Sequence, residues 1–236
     1  MHTPQEHDGR HGSAAVRSLG VLGGTFNPPH VGHLAVARHA LRELALDRVL
    51  LVPAHTAPNK LQGERGQEGM WDPGPLHRLR MCELAVAGEP HIWACALEIE
   101  RGGVSYTVDT LMSLHASHPN AELTFIVGAD AAGTLGSWRD PAHLLALARL
   151  AVAARTGAAR QRVLDAVAQA AAADGGGGRA VRAPAKTVRF LDMPTVEVSS
   201  SLVRERVAAG ESIDGLVAPA VARYISEHAL YSGAVD

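Results

Sequence analysis

The run Gly23–His33, GGTFNPPHVGH, constrains this chain more than any other stretch. The apolar segment Leu19–Leu22 precedes it. LAVARHALREL follows, with Leu34, Ala37, Leu41 and Leu44 at helical spacing. The order is strand, glycine-rich turn, helix. Gly23 and Gly24 let the backbone turn tightly and approach a ligand. Pro28 and Pro29 stiffen the turn and delay the helix until about Gly32. A helix N-terminus carries unpaired N–H groups and partial positive charge, so it favours an anion. His30 and His33, three residues apart, can address one ligand there. The stretch reads as a phosphate site carrying two imidazoles. It lacks the third glycine of a dinucleotide-binding G-x-G-x-x-G, and no Gly-Lys-Ser/Thr follows as in a P-loop. Two histidines alone do not make a metal site, and neither cysteine is clustered with them.

Further apolar runs alternate with helical patterns. Arg48–Pro53 is expected to be a strand, joined to the first by a right-handed crossover. Ala54–Pro75 is rich in Gly, Pro and charge and is expected to be a long loop. Helices are expected over Leu76–Ala87, Tyr106–Ser117, Pro141–Leu147, Arg160–Ala173, Ser201–Ala209 and Pro219–His228. Strands are expected at Ile92–Cys95 running into Leu97–Glu100, and at Leu123–Val127, Leu150–Ala154 and Val188–Leu191. Gly175–Gly178 reads as a flexible surface loop. Alternating strand and helix predicts an α/β fold, a doubly wound and mostly parallel sheet. In such sheets ligands bind beyond the carboxyl ends of the strands, where the glycine-rich turns fall.

The 236 residues suit one domain over residues 18–231, with a mobile N-terminal tail (1–17) and a short C-terminal tail (232–236). The net charge of −2 argues against a partner that is nucleic acid or an anionic membrane surface. Cys82 and Cys95 are too few for a disulfide framework and point to a reducing, cytoplasmic setting. The first residues lack the apolar core of a signal peptide, and no run is long enough to span a bilayer. The oligomeric state stays open, a homo-oligomer included.

A second anion site is suggested by VEVSSSLVRERV. Ser199–Ser201 stand at a helix start, and Arg204 lies one turn on, able to reach back to the same ligand. Arg204 paired with Glu197 on a capped surface helix is the alternative. Lys60, within PAHTAPNK, is a lone loop lysine.

Taken in order, GGTFNPPHVGHL, PAHTAPNK, GVSYTVDTL, FIVGADAAGTLGSWRDP, ARTG, SSSLVRERV and LVAPAVARYISEHALY resemble the bacterial nicotinate-nucleotide adenylyltransferases. That family belongs to the nucleotidyltransferases marked by H-x-G-H, with a Rossmann-like fold. The resemblance covers about Leu19–Tyr231. It implies that His30 and His33 contact ATP phosphates and stabilise the transition state, with Lys60 and Arg204 as phosphate-binding cations. It implies a nucleotide site from Gly23, Gly24, Thr25, Phe26, Gly128, Asp130, Arg155, Ser200 and Ser201. Tyr106, Thr107 and Trp138 would line the pyridine ring, although Trp138 equally suits a half-buried core position. Asn59, Ser201, Thr156 and Asn27 depart from the residues usual in the family.

The implied reaction passes AMP from ATP to nicotinate mononucleotide, giving deamido-NAD and pyrophosphate in NAD biosynthesis. Its nucleophile is already anionic, so it needs positioned cations and donors rather than a base. Mg²⁺ is expected to be held by ATP oxygens and water, with no metal-ligating residues on the chain. A preference for the amide mononucleotide or phosphopantetheine, a nucleotide sensor without turnover, and a tRNA synthetase fragment are the competing functions.

Overall fold

The computed structural model describes residues 16–58, 72–154, 157–172, 188–194 and 196–232. Lys60, Arg155, Asn59, Thr156, Gly175–Gly178 and most of both tails lie outside the described residues.

Six strands form one sheet: β1 (Ser18–Gly24), β2 (Arg48–Pro53), β3 (Ile92–Ala94), β4 (Glu122–Gly128), β5 (Ala148–Ala153) and β6 (Val188–Leu191). All pair in parallel in the order β3-β2-β1-β4-β5-β6. The larger helices are α1 (Val31–Glu43), α2 (Pro75–Val86), α4 (Thr107–Ser117), α6 (Pro141–Leu147), α7 (Gly157–Ala172), α8 (Ser200–Ala208) and α9 (Pro219–Glu227). Short turns of helix, α3 (Leu97–Arg101) and α5 (Ala129–Ala132), and a 3₁₀ turn at Leu135–Ser137 complete the chain.

The strands read as continuous apolar runs because both faces of the sheet are covered. Successive residues divide between two cores. Leu19, Val21, Leu50, Val52, Leu123, Phe125 and Val127 pack with Leu111 of α4, Leu144 of α6 and Val163 of α7. Leu22, Val49, Leu51 and Ile126 pack with Leu34 of α1, Met81 of α2, Val203 of α8 and Ile225 of α9. Gly20 is fixed by this packing, since a Cβ there would come within 2.8 Å of Leu46 Cδ1.

The expected extension of β3 into Leu97–Glu100 is wrong: those residues form α3. Their Leu-Glu-Ile-Glu alternation mimics a half-buried strand. Instead Glu98 is buried and accepts a hydrogen bond from Thr110 Oγ1 at 2.5 Å, and Gly102 N–H closes the turn onto the Glu98 carbonyl. A carboxylate turned inward inverted the polarity on which the period-two reading depended.

β1 and β4 are neighbours at the centre, while the chain leaves β1 toward β2 on the other side. The order therefore reverses beside the carboxyl end of β1, where a doubly wound sheet opens its crevice.

Candidate active site

Gly23 and Gly24 end β1 at this crevice. A Cβ on Gly24 would stand 3.3 Å from the Phe26 ring, so the turn tolerates little there. Phe26 adopts φ 52°, in the left-handed region, which costs a bulky residue about 1–2 kcal/mol. Its buried ring sits edge-on to His33, with centroids 4.8 Å apart. The packing of that ring holds the backbone in its strained turn.

His30 is the N-cap of α1 and His33 its third residue. The imidazoles are stacked, with centroids 3.7 Å apart and planes 24° from parallel. His33 Nδ1 accepts the His30 backbone N–H at 3.1 Å. That bond leaves Nε2 to carry the proton of the neutral ring, which makes that nitrogen a hydrogen-bond donor. The reciprocal approach of His30 Nδ1 to the His33 N–H outlines a capping box without reaching hydrogen-bond geometry. His30 Nδ1 is the buried side-chain nitrogen left without a partner among the described residues. Burial lowers the His30 pKa from 6.5 to about 4. Burial, and then repulsion from His30, lowers that of His33 to about 3. Both rings are neutral hydrogen-bond donors at physiological pH. Gly32 makes room between them, because a Cβ would lie tightly, 3.0 Å from His30 Nδ1 and 3.1 Å from Val198 Cγ1.

The start of α1 has fewer free amides than its sequence suggests. The Val31 N–H donates to the Leu216 carbonyl at 2.9 Å, so the first amide of α1 is already engaged.

The C-terminal serine run docks on this turn. Each serine has its own task. Ser199 caps α8 by accepting the Leu202 N–H at 3.1 Å; Ser200 Oγ donates to the Pro28 carbonyl at 2.8 Å. Ser201 Oγ accepts from Arg204 Nη2 at 3.1 Å. Arg204 is buried and donates through Nη1 to the Asn27 carbonyl at 2.7 Å. The serine run and the glycine-rich turn, each expected to meet an anion, are therefore in direct contact.

Gly128 ends β4 with open space where a side chain would stand, and Asp130 is almost wholly exposed, 3.8 Å from Arg162. Trp138 is half-buried, edge-on to Phe125 with centroids 5.9 Å apart, and its indole N–H donates to Thr134 Oγ1 at 3.0 Å. Tyr106 is the N-cap of α4 and Thr107 its first residue. The Arg139 guanidinium lies over the Tyr106 ring at 4.7 Å, which brings the Tyr106–Thr107 and Trp138 segments together. Thr25, Phe26, Gly23 and Gly24 lie on the turn with the histidines.

Sequence reasoning passed over two residues of this region. Tyr231 is buried, and its hydroxyl donates to Asn27 Oδ1 at 2.7 Å. Nothing local marks it. Arg78 donates to the Thr25 carbonyl at 2.9 Å and is 1% exposed. It did leave a signal: it stands on the apolar stripe of α2 with Met81, Cys82 and Ala85.

The cytidylyltransferase-like family model matches residues 21–206, an interval that contains both histidines and Arg204. The chain belongs to the cytidylyltransferase-like family. It is 39% identical over 214 residues to the probable nicotinate-nucleotide adenylyltransferase of Chromobacterium violaceum, covering 90% of this chain and 98% of that protein. The protein of the same name from Albidiferax ferrireducens is 39% identical over 221 residues, covering 93% and 100%. These relatives set the chain among the nicotinate-nucleotide adenylyltransferases, a group of nucleotidyltransferases. The nicotinic acid mononucleotide adenylyltransferase of Plasmodium falciparum, solved in complex with NaAD, aligns with a TM-score of 0.66. The alignment covers 91% of this chain and 97% of that one at 16% identity, a likeness of fold. The expected α/β, Rossmann-like fold is thereby borne out. Among the described residues no helix is long and apolar enough to cross a membrane.

Proposed function

We propose that the chain catalyses transfer of AMP from ATP to nicotinate mononucleotide, forming deamido-NAD and pyrophosphate in cytoplasmic NAD biosynthesis. The names of its relatives support the substrate pair, and the pair of stacked, neutral imidazoles at the start of α1 carries the chemistry. An oxygen of the mononucleotide phosphate attacks the α-phosphorus of ATP, and the bond to the bridging oxygen of the β-phosphate breaks. The attacking phosphate is largely dianionic at neutral pH, its second pKa being about 6, so no base is required. The rate comes from holding two anions in line and donating hydrogen bonds to charge as it spreads over the phosphoryl oxygens. His33 Nε2–H, fixed in its tautomer by the His30 amide, is the donor best placed for that work. His30 adds a second imidazole. Lys60 and Arg204 supply positive charge, Arg204 also holding the turn. Gly128, Asp130, Arg155, Ser200 and Ser201 are proposed to border the nucleotide, and Tyr106, Thr107 and Trp138 the pyridine.

Among the described residues no group of three or more His, Cys, Asp or Glu could hold a metal ion. ATP is proposed to enter as its Mg²⁺ complex, the ion held by phosphate oxygens and water, where it neutralises the departing pyrophosphate.

The test offers purified protein, ATP and Mg²⁺ with nicotinate mononucleotide or nicotinamide mononucleotide in parallel, scoring dinucleotide and pyrophosphate. Faster conversion of the acid is expected. A tenfold preference for the amide would overturn the acceptor assignment, and nucleotide binding without pyrophosphate release would make the protein a sensor.

A further inference from the structure

Arg78 has no place in the chemistry above, yet it is the largest of the fully buried side chains, 1% exposed. Its guanidinium makes four hydrogen bonds. Nη1 donates to the carbonyls of Thr25 at 2.9 Å and Ala54 at 2.6 Å. Nη2 donates to the His55 carbonyl at 2.9 Å, and Nε to Asp72 Oδ1 at 3.0 Å. Asp72 Oδ1 also accepts the Gly74 N–H at 3.0 Å, just before α2.

These acceptors belong to different parts of the crevice. Thr25 lies in the phosphate turn after β1; Ala54 and His55 are the first residues past β2, the strand beside it. Residue 26 follows Thr25 directly, and its ring packs on His33. The guanidinium thus reaches residues on two segments, His55 just past β2 and Asp72 just before α2. One rigid fork therefore joins the turn bearing the histidines to the end of β2 and to the approach to α2.

Burying a guanidinium is unfavourable by several kcal/mol unless its partners are well placed, and an apolar residue in the same stripe would fill the space more cheaply. Nearby Met81 and Cys82 show that the surroundings accept apolar side chains. What an apolar residue lacks is a planar set of donors at fixed mutual distances. Phosphoryl transfer is sensitive to such placement: a displacement of about 1 Å in a catalytic group can cost about 10²-fold in rate.

We propose that Arg78 is a positioning residue for adenylyl transfer, setting the histidine-bearing turn in register with the chain just past β2 and with the start of α2. This rests on the function proposed above. It touches neither substrate; it acts through the Thr25, Ala54 and His55 carbonyls. Lysine keeps the charge but not the fork, so Arg78→Lys separates geometry from electrostatics. Its effect belongs in kcat, because substrates still reach a cleft whose reacting groups are misaligned.

The experiment compares wild type, Arg78→Lys, Arg78→Gln and Leu46→Ala. Leu46 lies in the core beside Gly20, at the far end of β1 from the crevice, and serves as the destabilised control. Rates are measured with ATP and mononucleotide at saturation, at a temperature where circular dichroism shows each variant folded. The expected result for Arg78→Lys is a kcat lowered about 10- to 10²-fold with KM for both substrates within about threefold of wild type. Arg78→Gln is expected to lose at least as much, and Leu46→Ala to melt earlier while keeping wild-type kcat. The proposal is overturned if folded Arg78→Lys turns over at the wild-type rate, if its loss resides in KM alone, or if Leu46→Ala loses kcat equally. Should Arg78→Gln not fold, the lysine variant decides. A wild-type protein that forms no dinucleotide would instead overturn the function itself.

Discussion

Arg204 donates to the backbone carbonyl of Asn27 at 2.7 Å across 177 residues of sequence. This bond seats the N-terminal half of α8 on the phosphate turn, and Ser200 to the Pro28 carbonyl and Tyr231 to Asn27 Oδ1 seal the same contact. The turn is thus held from the C-terminal end of the chain on one side and by Arg78 on the other. Arg204, expected either to bind phosphate or to pair on a capped surface helix, is buried against the turn that carries the histidines.

Replacing His33 by Ala is expected to lower kcat about 10²-fold or more, the scale of losing one transition-state donor. Glutamine, whose amide N–H can reach the Nε2 position, should recover part of that loss, whereas asparagine should not. Pyrophosphate release under saturating substrates is the measurement. Near-normal turnover in His33→Ala would remove this residue from the mechanism.

Acid should destabilise the fold through the histidine pair. Both rings titrate near 6.5 when unfolded, but at about 4 (His30) and about 3 (His33) when folded. Between pH 6.5 and about 4 the unfolded chain therefore binds the extra protons, so stability is intact above 6.5 and lost as pH falls through that window. Thermal melts from pH 4.5 to 7.5 should show the drop, and the double variant His30→Gln/His33→Gln should flatten it by a few kcal/mol. Equal pH slopes in the two proteins would contradict the assignment.

Gly32→Ala is expected to cut kcat about tenfold or more while lowering the melting temperature only modestly. The added Cβ would meet the His30 ring at 3.0 Å, so the imidazole is expected to be pushed from its stacked position on His33. Wild-type kinetics in this variant would show that the stack is not needed.

Tyr231→Phe removes one buried hydroxyl that donates to Asn27 Oδ1. An expected loss of about 1–3 kcal/mol follows from leaving a buried acceptor without that donor. Because the hydroxyl touches the back of the turn, kcat should fall by less than it does in His33→Ala. Urea denaturation and the same rate assay measure both.

Trp138→Ala should raise KM for the mononucleotide about tenfold and leave KM for ATP nearly unchanged, if the indole borders the pyridine ring. A change in KM for ATP alone would move Trp138 to the other substrate.

The sequence by itself determined the alternation of elements, the strands Arg48–Pro53 and Val188–Leu191 to the residue, and the pair of histidines at the start of α1. Each of these is written in spacing along a single segment, where apolar period and turn residues act over a few positions. Leu97–Glu100 failed as a strand for the same reason. Its spacing was legible, but the burial of Glu98 depends on Thr110, a residue of another helix. Only the tertiary structure decided that the serine run and the glycine-rich turn meet. Only it showed that the Val31 amide is taken by Leu216, and that Arg78 and Tyr231 support the turn from behind. Those bonds join residues from 53 to 204 positions apart, and no local period encodes which distant carbonyl a side chain will meet. The packing of helices on both faces of the sheet makes that choice.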